Sequence, residues 1–424
     1  MERVQNAKKR RGSLINRDII NEFINYDNHD RVKIDSLINR WKQLLHKRGA
    51  KQGDLVAIAI LNVNVWHVSA LFACAELGLR VLLLDAPAHK DTLPYTKIAR
   101  FGPARFCIDD GSGRTLYDGL HQKMITEYSD EILTPSQVSD QPNQNIDTHI
   151  SPDTPFLVSS TSGTTKFSRM IEFTQQEVYE MSLRNIKIFK FSKASTVLHT
   201  KNMHHASAMI TDLIPSLMCA DRHFSMTLAD RNDWHPKNVM EINRFIVKNR
   251  VTHMIVPNRD VLEWLLSNNV RYLYTVNMNM SGFTMGPEFI EMAEKHNIRF
   301  IQHYGSIDTA IPLMVRYVTS QTKEQRGNCL GVLPDFEYVV TCDPVTGRIT
   351  VTHHGWDEPR TMDDCVEYND KTCKYYHNGR IDYIVDPDMV PPPDLDLTPF
   401  YQDTKINMDQ LRGFLITKKS KENA

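Results

Sequence analysis

Apolar and polar positions alternate along the chain in blocks that predict strands and helices in turn. Residues 30–49 carry apolar side chains at helical spacing, and Leu55 to Leu61 is a continuous apolar run typical of a strand covered on both faces. The next segment, Asn62 to Leu77, predicts a helix that Gly78 stops, and Val81 to Asp85 predicts another buried strand. A strand, a helix and a strand in this order predict a parallel sheet with a right-handed crossover.

The alternation continues through the middle of the chain and changes character near Gly327. Further strands are predicted at 156–158, 197–205, 252–257 and 299–304, and further helices from about 175, near 237–249, from about 259 and at 287–297. Beyond Gly327 the pattern becomes short strands and turns, and beyond Ile384 it becomes proline-rich. We therefore predict an α/β fold of layered sheets sandwiched by helices, divided into an α/β core (1–325), a small β-rich subdomain (326–386) and a proline-rich linker with a short tail (387–424). The connection 134–155 is polar, contains three prolines, and is expected to be exposed.

Composition excludes several classes of protein. The chain has 424 residues, 41% of them hydrophobic and 24% charged, with a net charge of -1, as in ordinary globular proteins without a field that recruits nucleic acid or anionic membranes. Its seven cysteines form no Cys-x-x-Cys pair, and no segment has the apolar length of a membrane span. We therefore expect a cytoplasmic protein that acts without nucleic acid or membrane.

The stretch Phe156 to Thr174 contains the strongest candidate for chemistry. A short apolar run leads into a loop of small hydroxyl residues around Gly163, followed by the cations Lys166 and Arg169 and a second apolar run. Thr174 is placed to cap the helix that follows. Hydroxyls and backbone N–H groups donate hydrogen bonds, a glycine lets the backbone approach closely, and cations offset phosphate charge. The loop is therefore a candidate anion-binding loop.

Taken alone, this loop has a second interpretation. The common nucleotide-binding loop needs two glycines and a Gly-Lys-Ser/Thr ending, and this loop has one glycine and a different ending. A polar hairpin between two strands would have the same composition. Only the rest of the chain decides between the two.

Four further segments follow the loop in an informative order. They are Thr200–His205, Tyr304–Asp308, Met362–Asp364 and Gly379–Asp382. With the loop, this layout resembles the adenylate-forming superfamily of acyl-CoA synthetases, peptide-synthetase adenylation domains and luciferases. The segments Lys51–Val56 and Glu76–Gly78 are also similar to the N-terminal signature of that family, and the resemblance covers about residues 30 to 385.

The resemblance implies a binding site for ATP and Mg²⁺. It assigns to the nucleotide the residues Thr161, Ser162, Gly163, Thr165, Lys166, Ser281, Gly282, Tyr304, Gly305, Asp364 and Arg380, and to catalysis the residues Thr164, Arg169, His204 and Asp308. Tyr304 would stack on adenine, Asp364 would accept hydrogen bonds from the ribose diol, and Arg380 would assist at the ribose or the phosphates. Asp308 would bind magnesium, because a carboxylate suits a hard cation.

His204 matches a family histidine beside the carboxylate pocket. An alternative is a zinc site made by His204 with His199 and His205, although no cysteine and no further histidine falls at ligand spacing. The two interpretations place different chemistry at the same turn.

Several positions depart from the pattern of the family. Lys166 replaces a glycine, Arg169 replaces a lysine, Ile307 stands where a threonine that contacts phosphate is usual, and Asp308 stands in place of a glutamate. The family also adds a C-terminal domain of about 100 residues, a typical small-domain size, that carries a catalytic lysine. Here residues 383–424 begin with prolines and hold no match to that lysine motif. We therefore expect the C-terminal domain to be lost or reduced, with a partner as one source of the missing lysine.

The expected reaction is attack of a carboxylate on the α-phosphate of ATP, which gives an acyl-adenylate and pyrophosphate. The acyl group would then pass to a thiol or amine acceptor such as CoA, a carrier protein or an amine. The competing hypothesis is a catalytically degenerate module that binds nucleotide or acyl-adenylate and acts through a partner. The expected loss of the lysine-bearing domain, Ile307 and the altered loop favour this second hypothesis.

Overall fold

The chain forms three sheets and seven helices within the residues that the computed structural model describes. These residues are 23–25, 31–32, 34–60, 63–84, 104–111, 129–160, 170–199, 208–220, 222–225, 244–256, 275–279, 287–296, 299–305, 309, 312–319, 322, 328–334, 338–353 and 358–380. The strands are β1 (Phe23–Asn25), β2 (Arg31–Val32), β3 (Leu55–Ile58), β4 (Arg80–Leu83), β5 (Ala104–Ile108), β6 (Ser129–Leu133), β7 (Pro155–Ser160), β8 (Met170–Thr174), β9 (Thr196–His199), β10 (Arg222–Ser225), β11 (His253–Val256), β12 (Thr275–Asn279), β13 (Phe300–Tyr304), β14 (Met314–Val318), β15 (Cys329–Gly331), β16 (Tyr338–Cys342), β17 (Arg348–His353), β18 (Arg360–Asn369) and β19 (Lys374–Arg380). The α-helices are α1 (Ile34–Lys47), α2 (Val65–Leu77), α3 (Pro135–Ser139), α4 (Gln175–Phe189), α5 (Ile214–Leu217), α6 (244–249) and α7 (Pro287–His296).

The first sheet contains six strands in the order β6-β5-β3-β4-β7-β8, parallel except for β8. The predicted strand, helix and strand are confirmed as β3, α2 and β4. The side chain of Asn64 caps α2 by accepting a hydrogen bond of 2.9 Å from the backbone N–H of His67. Gly78 ends the helix with a left-handed φ of 67°, a conformation that glycine adopts without a Cβ penalty.

The second sheet contains eight strands in the order β14-β13-β12-β11-β9-β10-β1-β2. Its central strands are parallel, and β14 and β2 run antiparallel to their neighbours. Strand β1 pairs in parallel with β10, with Phe23 opposite His223, although the two strands are far apart in sequence. The order of the strands therefore differs from their order along the chain.

The third sheet is antiparallel and contains five strands in the order β15-β19-β18-β17-β16. It joins the second sheet through a bridge between Val315 on β14 and Val332, which follows β15. Gly331 makes this close approach feasible: its φ is 95°, and an added Cβ would lie 2.0 Å from the carbonyl oxygen of Val315. The predicted α/β layers with a small β-rich part are confirmed.

Helix α4 contacts residues of all three sheets. It begins with the predicted cap at Thr174, whose hydroxyl accepts from the backbone N–H of Glu177 at 3.2 Å while the Glu177 carboxylate accepts from the Thr174 N–H at 2.8 Å. The buried side chain of Arg184 donates to the Pro312 carbonyl, and its guanidinium carbon lies 4.4 Å from the centre of the Tyr338 ring. Arg184 therefore ties the helix that follows the candidate loop to the third sheet.

The sequence predicted an exposed connection at 134–155, but parts of this connection are packed against the rest of the protein. Its first part forms α3, which buries Val138. Further along, Asn145 accepts a hydrogen bond of 2.9 Å from Lys42, whose ammonium also pairs with Glu76 at 2.6 Å. Lys42 is only 2% exposed, so the ion pair forms beneath the connection and holds it against α1 and α2.

One continuous hydrophobic core joins α1 and α2 to the first sheet, to α4 and to the segment 208–217. Within the described part of the chain, the helices lack the length and apolar character needed to cross a membrane.

Candidate functional site

Three strands end next to segments that carry predicted site residues. Strand β7 ends at Ser160, immediately before the candidate loop, and β8 returns antiparallel beside it. Strands β9 and β13 belong to the same sheet and end at His199 and Tyr304. Ligands of α/β proteins bind at the carboxyl ends of such parallel strands.

Several predicted site residues lie outside the described part of the chain. These are Thr161, Ser162, Gly163, Thr164, Thr165, Lys166, Arg169, His204, Ser281, Gly282 and Asp308. The helix predicted from about 259 and the tail 387–424 also lie outside it. For the loop and for His204, the alternatives stated from the sequence therefore remain open.

Tyr304 and Asp364, which the sequence assigned to the same nucleotide, are in direct contact. The Tyr304 hydroxyl donates a hydrogen bond of 2.6 Å to Oδ2 of Asp364. Tyr304 is half-buried at the end of β13, and Asp364 is buried on β18 with 4% of its surface exposed. The contact therefore crosses from the second sheet to the third, and a half-buried aromatic ring lies beside a buried carboxylate.

His377 completes this group, although the sequence did not single it out. Its Nε2 lies 3.2 Å from Oδ1 of Asp364, and its ring centre lies 6.2 Å from that of Tyr304. Its backbone N–H donates to the Asn328 carbonyl at 2.9 Å, and the Asn328 side chain donates to the His377 carbonyl at 3.0 Å. Each oxygen of the Asp364 carboxylate thus has a different side-chain partner.

Arg380 lies opposite Asp364 in the register of β18 and β19. A bulge between Asp364 and Val366 shifts the pairing, so that Val366 faces His377. The backbone of Arg380 is described, and its side chain lies outside the described part. Gly305 follows Tyr304 directly at the end of β13. The hairpin of β18 and β19 therefore supplies Asp364, His377 and the backbone of Arg380 from neighbouring positions.

A group of buried histidines lies on the neighbouring strands β9, β10 and β11 of the second sheet. Nε2 of His199 lies 3.3 Å from Nδ1 of His223, and the two rings are nearly parallel. Nε2 of His223 lies 3.0 Å from the Ala220 carbonyl oxygen and donates to it, so Nδ1 of His223 accepts from His199. His253 similarly donates from Nε2 to the Phe189 carbonyl at 3.1 Å.

Burial keeps these rings neutral. It lowers the pKa of His199 well below its ordinary value, with a smaller contribution from neighbouring His223. It lowers the pKa of His223 and of His253 to about 4, in each case opposed by the hydrogen bond to a backbone carbonyl. His199, one member of the alternative zinc set, is thus paired with His223. No group of three potential ligands that could hold a metal ion occurs among the described residues.

The segment 209–213 has an unusual backbone. Residues Met209–Leu213 form a π-helical turn that continues into α5 and buries Asp212 completely. The side chain of Asn185 on α4 donates a hydrogen bond of 2.8 Å to the Ile210 carbonyl. Turns of this kind are frequent at functional sites, and no sequence signal distinguishes this one from an ordinary apolar helix.

Comparisons with known proteins identify the family and the fold. A family model described as AMP-binding enzyme matches residues 33–355. A comparison with curated proteins gave no match.

Solved structures provide matches to the fold. A fatty acyl CoA synthetase from Mycobacterium tuberculosis is 14% identical with a TM-score of 0.69, over 89% of this chain and 77% of that one. O-succinylbenzoate coenzyme A synthetase from Bacillus subtilis, in complex with ATP and magnesium ion, is 15% identical with a TM-score of 0.69, over 89% and 78%. The inhibitor-bound N-terminal domain of FACL13 from Mycobacterium tuberculosis is 13% identical with a TM-score of 0.69, over 89% of this chain and 98% of that one. At such identities the likeness concerns the fold alone.

Proposed function

Since the chain belongs to the AMP-binding enzyme family, we propose that it activates a carboxylic acid with ATP. In this reaction a carboxylate oxygen attacks the α-phosphorus of ATP. An acyl–oxygen–phosphorus bond forms, the bond to the β-phosphate breaks, and pyrophosphate leaves with its electron pair. The product is an acyl-adenylate, and the acyl group then passes to a thiol or amine acceptor.

The observation that carries the proposal is the buried carboxylate of Asp364 beside the half-buried ring of Tyr304. An ionised carboxylate accepts hydrogen bonds only, and the two hydroxyls of a ribose are donors of matching chemistry. The ring of Tyr304 offers a flat apolar face to a base. The pair therefore fits a nucleoside, with Asp364 as ribose acceptor and Tyr304 as adenine platform.

The remaining roles follow from the sequence. Thr161 to Thr165, together with Lys166 and Arg169, would bind the phosphates, and Asp308 would bind Mg²⁺, which neutralises charge that develops on the leaving phosphates. Ser281, Gly282 and Gly305 would line the nucleotide, Arg380 would assist at the ribose or phosphates, and His204 would lie at the carboxylate pocket. The protein's part is to position the two reactants and to stabilise charge at phosphorus.

The first test measures binding of AMP and ATP by calorimetry to the unmodified chain and to Asp364→Asn. The substitution keeps the shape and removes the charge, so we expect a loss of about 1.5–3 kcal/mol, or more than tenfold in affinity. Glu367→Gln is the matched control, because Glu367 is exposed on the same strand. Equal affinities for Asp364→Asn and the unmodified chain would contradict the ribose assignment.

A second candidate function is that of a module that binds nucleotide or acyl-adenylate without turnover. Ile307 favours it, because this position lacks the hydroxyl donor usual in the family. Pyrophosphate release, measured with ATP, Mg²⁺ and a panel of short, long-chain and aromatic carboxylic acids, separates the two. Sustained release with any acid supports the enzyme, whereas tight AMP binding without release supports the module.

A further inference from the structure

We propose that His377 is the positioning residue of this site, which holds the Asp364 carboxylate in the orientation that receives the ribose. The inference rests on the proposed function, because it assigns a role relative to the bound nucleoside. It concerns a residue that no motif of the chain singles out.

The geometry supplies one donor for each carboxylate oxygen. Tyr304 donates to Oδ2 at 2.6 Å, and Nε2 of His377 lies 3.2 Å from Oδ1. The torsion that rotates a carboxylate about its Cβ–Cγ bond is broad, so a hydrogen bond to one oxygen restricts it only weakly. Donors on both oxygens restrict this rotation further, and His377 supplies the donor at Oδ1.

His377 is itself held firmly in place. The two reciprocal hydrogen bonds with Asn328 join its backbone on β19 to the residue that precedes β15. Its side chain is 29% exposed, whereas that of Asp364 is 5% exposed. The imidazole is therefore more exposed than the carboxylate that it contacts, and it donates from Nε2 both as the neutral Nε2–H tautomer and as the imidazolium.

A ribose presents two neighbouring hydroxyls, and a carboxylate presents two neighbouring oxygens that accept hydrogen bonds. The orientation of the Asp364 carboxylate therefore decides whether both hydroxyls meet an acceptor. A carboxylate held in that orientation favours a ribonucleoside over either deoxy analogue, and the part of this preference that involves Oδ1 depends on His377.

The test compares His377→Leu with His377→Gln, because the glutamine amide places a donor at about the reach of imidazole Nε2 and leucine does not. Affinities for AMP, 2′-deoxy-AMP and 3′-deoxy-AMP are measured for each variant by calorimetry. We expect His377→Leu to bind AMP five- to tenfold more weakly, with reduced discrimination against one of the two deoxy analogues. His377→Gln should stay within about twofold of the unmodified chain. Asn378→Ala is the matched control, because the neighbouring Asn378 bonds to Glu367 instead.

A double-mutant cycle separates positioning from a general effect on the hairpin. In the Asp364→Asn background, His377→Leu should cost less than twofold, because the carboxylate that it positions is gone. Unchanged AMP affinity in His377→Leu, or equal losses in the leucine and glutamine variants, would overturn the inference while leaving the proposed function intact. No AMP binding by the unmodified chain would overturn the proposed function and the inference with it. No effect of Asp364→Asn would overturn the ribose assignment, and the inference with it.

Discussion

At the scale of single residues, several contacts between polar side chains involve buried groups. Asp364 is bonded to Tyr304 and His377, Lys42 to Glu76, and His199 to His223. Burial of an unpaired polar group costs about 1–3 kcal/mol, so the loss of one partner should destabilise the fold. Each of these contacts also joins two different elements.

Sequence reasoning found only part of this set. The family pattern placed Tyr304 and Asp364 at the same nucleotide, and the structure brings them into contact. Sequence reasoning did not find His377. The position of His377 beside Asp364 depends on a bulge in the hairpin, which spacing along the chain does not reveal. Sequence reasoning also missed the contact between His199 and His223, which arises because β9 and β10 are neighbours in the sheet.

The buried histidines predict acid sensitivity. Burial lowers the pKa of His223 to about 4, and the ordinary value near 6.5 applies in the unfolded chain. Between these values the unfolded chain binds more protons, so the free energy of unfolding falls as the pH drops from 6.5 towards 4. His223 alone should account for about 2 kcal/mol of destabilisation at pH 5 relative to pH 7.5.

Urea unfolding at the two pH values measures this effect. In His223→Gln the drop in stability between pH 7.5 and pH 5 should be smaller by about 2 kcal/mol, whatever the stability at pH 7.5. His46→Gln removes one histidine from an exposed position of α1 and serves as control. The same pH dependence in all three proteins would contradict the prediction.

At the scale of elements, strands and helices were predicted more accurately than their arrangement. Helix α2 begins and ends within a few residues of the prediction, because Asn64 and Gly78 are local signals that act through the backbone. The third sheet was expected as short strands and turns, but its attachment to β14 depends on contacts between distant residues, which no local pattern encodes. The division into domains stays a prediction.

Gly331 should be the most sensitive glycine at the junction of the second and third sheets. Gly331→Ala combines a positive φ of 95° with a Cβ 2.0 Å from a backbone oxygen, so a strand must move. Gly53→Ala is the matched control, because its φ of 88° is similar and its Cβ meets nothing within 4 Å. A left-handed alanine costs about 1–2 kcal/mol, and the clash should add at least about 2 kcal/mol more at Gly331.

Chemical denaturation of both glycine variants gives the difference directly. A displaced β15 also shifts the hairpin that carries Asp364, so Gly331→Ala should weaken AMP binding, whereas Gly53→Ala should leave it unchanged. Similar stabilities for the two variants would show that the sheets can separate at this point without cost.

At the scale of the whole molecule, the candidate nucleoside site lies where two sheets meet. Tyr304 comes from the second sheet, and Asp364 and His377 come from the third. A ligand that contacts both sheets stabilises their contact as well as each sheet. At a ligand concentration of 100 times Kd, binding raises the free energy of unfolding by about 2.7 kcal/mol.

Hydrogen exchange with and without saturating AMP tests whether the ligand stabilises both sheets. We expect slower exchange at the end of β13 and in β18 and β19 together, because one ligand joins them. Strands β5 and β6, at the far edge of the first sheet, serve as the internal control. Protection confined to one of the two sheets would contradict a site shared between them.

The position of β1 has a consequence for synthesis of the chain. Its residue Phe23 pairs with His223, 200 positions later, so this strand has no neighbour on that side until β10 has been made. At the usual rate of about 5–20 residues per second, translation of the intervening chain takes about 10–40 seconds. During that time β1 lacks its β10 partner, while α1, β3 and α2, which supply much of the first core, have already been made. Strand β1 can therefore join the eight-stranded sheet only after β10 has been made, although β1 is among the first strands to be made.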